Sequence, residues 1–280
     1  MKDDFYKMKD DFLNHLFLKQ QEKEQVPSNK VMANWAAKLI CILYPEMSKC
    51  SYPSLEAINT ELNKLKEELE VILDKTKACR NFDHHKISEE FFNKLPELYR
   101  ILNTDIEAIH QGDPAATCEF EVIRAYPGFY ALCFYRIAHQ LHILKVPLLP
   151  RILTEYAHSK TGIDIHPAAR IGEYFMMDHG TGIVIGETSV IGNHVKMYQG
   201  VTLGGMSIHK GMARQKRHPD IEDNVVIYAG ATILGGDTLV GEGSVIGGNV
   251  WLTQSVPPGS LVVQTPQITI VENKFARNNV

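Results

Sequence analysis

The sequence predicts an α+β fold in which an N-terminal all-helical domain is followed by a parallel β-solenoid. Up to about residue 158 the apolar residues recur every three or four positions, and after it they recur every six. Ile185, Ile191, Met197 and Leu203, then Ile221, Ile227, Ile233, Leu239, Val245 and Trp251, stand six or a multiple of six apart, often with Gly close behind. No helix or alternating strand gives that period. A triangular coil does, with each hexad forming one flat side, its large residue pointing into the shaft and small residues filling the corners. The run from Ile221 to Trp251 is expected to hold one register throughout.

The boundaries follow from the change of period: a helical domain over 1–158, a solenoid over 159–262 and a tail over 263–280. In "SLEAINTELNKLKEELEVILDK" (54–75), Leu55, Ile58, Leu62, Leu65, Leu69 and Ile72 make one apolar stripe with Glu and Lys between them. Residues 88–110 read the same way, with Pro96 starting or kinking a segment and "GDP" (112–114) ending it.

Two interruptions break the hexads. Ile165, Ile171 and Met177 step by six but run two residues out of phase with Ile185, so the shift falls within "MDHGTGIVIGET" (177–188). The second is "MSIHKGMARQKRHPD" (206–220), a Lys/Arg-rich stretch without an apolar hexad, which predicts a loop that leaves the shaft and returns in phase.

Composition narrows the function. The formal charge of −4, with 22% charged residues, gives no basic footprint for nucleic acid. Five cysteines, all before residue 134 and without C-x-x-C spacing, suit free thiols in a reducing cytoplasm. The run "LHILKVPLLPRIL" (141–153) is too short and too interrupted to span a bilayer, and the charged N-terminus is no signal peptide. No H-E-x-x-H or Cys/His spacing points to a metal, although His179, His194 and His218 equal by count the set a solenoid carbonic anhydrase would need.

Both interruptions contain histidine. A regular coil needs no charge at its corner, so Asp178 and His179 at the phase break point to a general base with a carboxylate nearby. "KRHP" (216–219) offers Arg217 as a bidentate carboxylate clamp and His218 as a donor or second base. Asp164 in "GIDIHPAARIG" is a candidate to orient a histidine, and Asp113 in "QGDPAA" reads as a cap on the following segment. The backbone N–H groups of "TLGG" (202–205), which includes Gly204 and Gly205, are candidate oxyanion donors.

These motifs, "GIDIHPAARIG", "MDHGTGIVIGET", "VTLGG", "KRHP" and "SVPPGS", in this order over about residues 112–260, resemble those of the serine O-acetyltransferases of cysteine biosynthesis, within the hexapeptide-repeat acyltransferases. The resemblance implies a left-handed parallel β-helix, assembled as a trimer or a dimer of trimers. It implies direct transfer of acetyl from acetyl-CoA to the L-serine hydroxyl, with no metal or prosthetic group. By this resemblance His179 is the base and Asp164 orients it, while Asp113, Asp178, Arg217 and His218 form the amino-acid pocket. Gly204, Gly205, Ala229 and Gly247 line the CoA groove between subunits. Feedback inhibition by L-cysteine in the serine pocket is also implied. The family often ends in an isoleucine that docks into O-acetylserine sulfhydrylase; this tail ends in Val280, which weakens the implication of that partner. A sugar hydroxyl as acceptor and a catalytically silent scaffold are the rivals. Arg217 argues against the first, having little use on a neutral sugar, and the joint presence of Asp164, Asp178, His179, Arg217 and His218 argues against the second.

Overall fold

The structure, a computed structural model, describes residues 2–23, 26–49, 51–206 and 215–265. Cys50, most of the loop predicted over 206–220 and the tail from 266, with Val280, lie outside the described residues. Eight helices come first: α1 (Lys2–Gln21), α2 (Asn29–Leu43), α3 (Leu55–Asp74), α4 (His84–Asn93), α5 (Leu95–Gly112), α6 (Glu119–Ala125), α7 (Pro127–Ile143) and α8 (Leu149–Thr161). Their starts follow local chemistry. The Ser28, Ser54 and Asp83 side chains accept from the backbone N–H three residues on, as N-caps do. Pro96 sits at the start of α5 and separates it from α4, as the sequence predicts. In α3, Leu65, Leu69 and Ile72 of the predicted stripe are buried, whereas Leu55 in the first turn is exposed.

Among the described residues fourteen short strands follow, wound into three parallel sheets. Sheet A stacks β1 (Asp164–Ile165), β4 (Val184–Ile185), β7 (Thr202–Gly204), β10 (Thr232–Leu234) and β13 (Trp251–Leu252). Sheet B stacks β2 (Arg170–Ile171), β5 (Val190–Ile191), β8 (Asp220–Ile221) and β11 (Leu239–Val240). Sheet C stacks β3 (Met176–Asp178), β6 (Lys196–Tyr198), β9 (Val226–Ile227), β12 (Val245–Ile246) and β14 (Leu261–Val262). The chain visits A, B and C in turn, so each coil is a triangle and each strand pairs with its equivalent one coil away. Ile165, Ile185, Leu203 and Ile233 fill the shaft from sheet A, and Ile171, Ile191 and Ile221 fill it from sheet B.

One expectation is corrected. The register does not hold to Trp251: Leu239 and Trp251 face outward, at 39% and 70% exposed, while Val240 and Ile246 are fully buried. The step from Ile233 to Val240 is seven residues, because the corner at Gly235 and Gly236 holds one extra. Gly235 has φ +105°, and a Cβ on Gly236 would lie 2.9 Å from the Cα of Arg217 in the returning segment. The corner therefore lengthens to pass the end of the loop. Leu239, Val245 and Trp251 keep their spacing but lose the shaft.

The two halves share one hydrophobic core, and a buried ion pair pins them together. Arg136 of α7 donates to both carboxylate oxygens of Asp105 of α5, at 3.1 and 3.0 Å, and to the carbonyls of Ile171 and Gly172, each at 2.6 Å. Asp105 also accepts from the backbone N–H of Phe175 at 3.1 Å. Both side chains are buried, so removing one leaves the other's charge without a partner in low dielectric. Arg136→Leu is expected to cost about 3–5 kcal/mol of unfolding free energy, measured by denaturant titration; a loss under about 1 kcal/mol would show that the pair is not an anchor.

Candidate active site

The longer corner between sheets C and A, at the end of β3, carries the phase break. Its path needs left-handed backbone: His179 has φ 56°, and Gly180 and Gly182 have φ 80° and 79°. A side chain in that region is uncommon in general, but here it belongs to the coil corners, since Tyr174, His194, Asn224 and Asn249 share it. The turn leaves His179 with a side chain 70% exposed, while Asp178 beside it is only 15% exposed. His179 Nδ1 lies 3.6 Å from Asp178 Oδ1.

Asp113 arrives at the same corner from the helical domain, as the residue that caps α5. Its carboxylate accepts from the Tyr126 hydroxyl at 2.6 Å and from the Ala115 N–H at 2.8 Å. The hydroxyl bond first, then the N–H, hold its pKa below the usual carboxylate range, with His179 close enough to add to the effect. Tyr126 is pushed the opposite way by the same bond, and it senses Asp178 as well. One corner thus gathers two carboxylates, a phenol and an accessible imidazole.

The next corner, between sheets A and B, holds the other predicted pair. The loop returns there, and Arg217 forms an ion pair with Glu187. His218 is buried, and its ring lies so close to Gly186 that a Cβ there would overlap it. Thr188 donates its backbone N–H to His218 Nδ1 at 3.1 Å. A backbone N–H can only donate, so Nδ1 is an acceptor and the ring proton sits on Nε2. Burial first, and the Arg217 charge second, lower the His218 pKa to about 4. His218 is therefore a neutral imidazole whose proton sits on Nε2.

Ala229, Gly247, Gly204 and Gly205 divide between the same two corners, and Asp164 does not. Ala229 and Gly247 follow β9 and β12 at the sheet C to sheet A corner, where the Ala229 carbonyl accepts from the Asn249 N–H at 2.9 Å. Gly204 ends β7 and Gly205 opens the sheet A to sheet B corner; a Cβ on Gly204 would approach Leu234 to 2.8 Å. Asp164 starts β1, one coil from Val184, and makes no side-chain hydrogen bond to His179 within the chain. It lies instead against α8, in a group with Glu155 and His158. His179, His194 and His218 form no such group among the described residues, and His194 stacks on Tyr174 with centroids 4.3 Å apart. Tyr126, Glu187 and Thr188 were not predicted. Glu187 and Thr188 stand inside the "GET" of the phase-break motif, but nothing in the sequence links Tyr126 to Asp113.

His166, whose Nδ1 accepts from the Ala168 N–H at 3.1 Å, is also lowered to about 4, chiefly by burial and then by Arg151. Between the ordinary histidine value and about 4 the unfolded chain binds more protons than the folded one, so these two groups make stability fall as pH falls through that window. Their ring resonances are expected to titrate with midpoints near pH 4 in NMR. Midpoints at the ordinary histidine value would contradict the buried neutral assignment.

No family model matches the chain. The chain is 54% identical over 184 residues to the plasmid serine acetyltransferase of Synechococcus elongatus, covering 64% of this chain and 57% of that protein. It is 47% identical over 175 residues to the serine acetyltransferase of Bacillus subtilis, covering 62% of this chain and 78% of that one. In structure it is similar to Entamoeba histolytica serine acetyltransferase 1 in complex with L-cysteine, with TM-score 0.75, 36% identity and coverage of 86% of this chain and 88% of that chain. Neisseria gonorrhoeae serine acetyltransferase in complex with serine gives TM-score 0.58 at 28% identity, covering 85% and 95% of the two chains. With the phase-break corner, the returning Arg-His pair and the coiled sheets in place, these likenesses show that the chain belongs to the serine acetyltransferase family.

Proposed function

We propose that this chain transfers acetyl from acetyl-CoA to the hydroxyl of L-serine, giving O-acetyl-L-serine and CoA, the first step of cysteine biosynthesis from serine. The observation that carries the reading is the split of complementary chemistry between two corners. Asp113, Asp178 and His179 supply anions and a base at one corner, and Arg217 and His218 supply a cation and a neutral donor at the other. An amino acid needs both sets, carboxylates for its ammonium and Arg for its carboxylate. Within one coil the corners stand one side of the triangle apart, about six residues or ~20 Å. A single serine does not bridge that distance. Packing the sheet C to sheet A corner of one copy against the sheet A to sheet B corner of the next completes the pocket. The same contact joins Ala229 and Gly247 of one copy to Gly204 and Gly205 of another, forming a CoA groove parallel to the shaft. A closed ring of three copies repeats this contact with no free end.

The chemistry follows from those positions. The serine hydroxyl is protonated at neutral pH, so attack on the thioester carbon needs His179 to take its proton as the new C–O bond forms, a contribution of roughly 10²–10⁴-fold. Backbone N–H groups at Gly204 and Gly205 stabilise the oxyanion of the tetrahedral intermediate. As the C–S bond breaks, the imidazolium returns the proton to the CoA sulfur, and no acyl-enzyme forms. Asp164 is assigned to orient His179, which needs a side-chain rotation toward the corner. L-cysteine, with the same ammonium and carboxylate, is expected to compete for the pocket; the cysteine complex of the Entamoeba relative supports that assignment.

The test is release of free CoA thiol from acetyl-CoA with L-serine, a hexose or no acceptor. Serine-dependent release that falls about 10²-fold or more in His179→Ala supports the substrate and the base together. Release stimulated by the hexose and not by serine would overturn the reading.

A further inference from the structure

A cavity of about 780 Å³ lies between the α7–α8 turn and the first sheet A to sheet B corner, among residues the mechanism does not use. Six basic side chains line it, His139, His142, Lys145, Arg151, His166 and Arg170, and no acidic residue joins them. In a chain of formal charge −4 this cluster belongs to the place and not to the composition. Among the described residues only Arg151 of the six forms an ion pair, with Glu155, which stands outside the lining. The Ala168 N–H occupies His166 Nδ1, so the proton of His166 sits on Nε2, for which the described residues offer no acceptor. One wall is fixed by two bonds that tie α7 to the corner. The Tyr135 hydroxyl donates to the Ala169 carbonyl at 2.6 Å, and His139 Nδ1 donates to the Pro167 carbonyl at 2.8 Å. The opposite wall holds Leu148 in a γ-turn of the rare hand, φ 64° and ψ −55°, closed by the Leu149 N–H on the Pro147 carbonyl at 2.7 Å. Leu148 is left 47% exposed there, and with Ile143 and Pro150 it gives the cationic cavity an apolar side.

We infer that this cavity is a binding site for a phosphate monoester with an aromatic or aliphatic body. Its volume falls in the range of small-molecule pockets, roughly 300–1,000 Å³, and its apolar side with a few polar groups is their usual lining. The polar groups are almost all donors: an ammonium, two guanidinium forks and the His166 Nε2–H. A phosphoryl dianion accepts only, and its three free oxygens take several of these donors at once. A neutral ligand would leave the cations facing one another. Their mutual effect is visible at His139, whose pKa is lowered first by burial and then by Arg136, His142 and Arg170. The site lies one coil before Gly186–Ser189: the His166 N–H bonds the Ile185 carbonyl and the Arg170 N–H bonds the Ser189 carbonyl, each at 3.0 Å. It is thus at the opposite end from the proposed CoA groove, which runs from Gly204 toward the later coils, and the inference stands without that reading.

The experiment titrates the intact protein in phosphate-free buffer with phenyl phosphate, inorganic phosphate and phenol, followed by calorimetry. Phenyl phosphate is expected to bind, inorganic phosphate to bind about 5-fold or more weakly because it buries no apolar surface, and phenol to show no binding. The double variant Lys145→Ala with Arg170→Ala removes two exposed side chains and is expected to keep its melting temperature. It is expected to bind phenyl phosphate about 10-fold or more weakly, as loss of charge-assisted hydrogen bonds predicts. Arg217→Ala, which removes the cation of the neighbouring corner, is expected to leave that affinity within about two-fold. No binding of phenyl phosphate, the result if a second copy covers the cavity, would overturn the inference. So would undiminished binding in the double variant, or binding lost in Arg217→Ala, which would put the phosphate at the other corner. Equal affinities for phenyl phosphate and inorganic phosphate would contradict the ester.

Discussion

The buried pair between Asp105 and Arg136 is the constraint on which the arrangement depends. It joins α5, α7 and the first coil through a buried carboxylate, a buried guanidinium and three backbone groups. Taking these charges out of water costs several kcal/mol per ion, so the pair holds only because every partner is in place. Its consequence lies eight residues downstream. Asp105 is locked against the solenoid, and α5 is a rigid helix from there to Gly112. Asp113 must therefore emerge at the corner that carries His179. The position of the Asp113 carboxylate is thus set by an ion pair eight residues upstream of it.

A solenoid alone cannot build this site, and neither can a helical bundle. The coils provide identical corners at a fixed rise, which suits a long ligand lying along the shaft. They provide no reason for one corner to be chemically unlike the next. The two insertions supply it: the long turn at 178–183 turns a histidine outward, and the returning segment at 215–219 lays His218 against Gly186. The helical domain then adds Asp113 from outside the coil. The seven-residue step at Gly235 and Gly236 is where the fourth coil passes the returning end of the loop.

The sequence makes the repeat legible because shaft packing imposes a period on every coil. It makes the two insertions legible because they break that period. The shift at Gly235 escaped the reading because Leu239, Val245 and Trp251 are themselves apolar and continue the six-residue spacing on the outer face. Spacing reports periodicity without reporting which side of the strand faces inward, and a one-residue slip reverses it. His179, Asp178, Arg217 and His218 stood out as polar residues at irregular positions in a strict pattern. Tyr126, Asp105 and Arg136 did not, since their partners lie between 13 and 70 residues away and no local pattern marks them. The neutral state of His218 is likewise a property of the Thr188 N–H and the Gly186 surface, both distant in sequence.

The central claim is that the two corners belong to different copies of the chain in each working site. The most direct measurement mixes His179→Ala chains with Arg217→Ala chains, each inactive alone, by co-expression, and assays serine-dependent thiol release. If the corners meet across copies, random assembly restores both wild-type corners at about a quarter of the sites, and activity returns to a comparable fraction. If each site were built within one chain, no mixed assembly would contain an intact site, and the mixture would stay as inactive as its components.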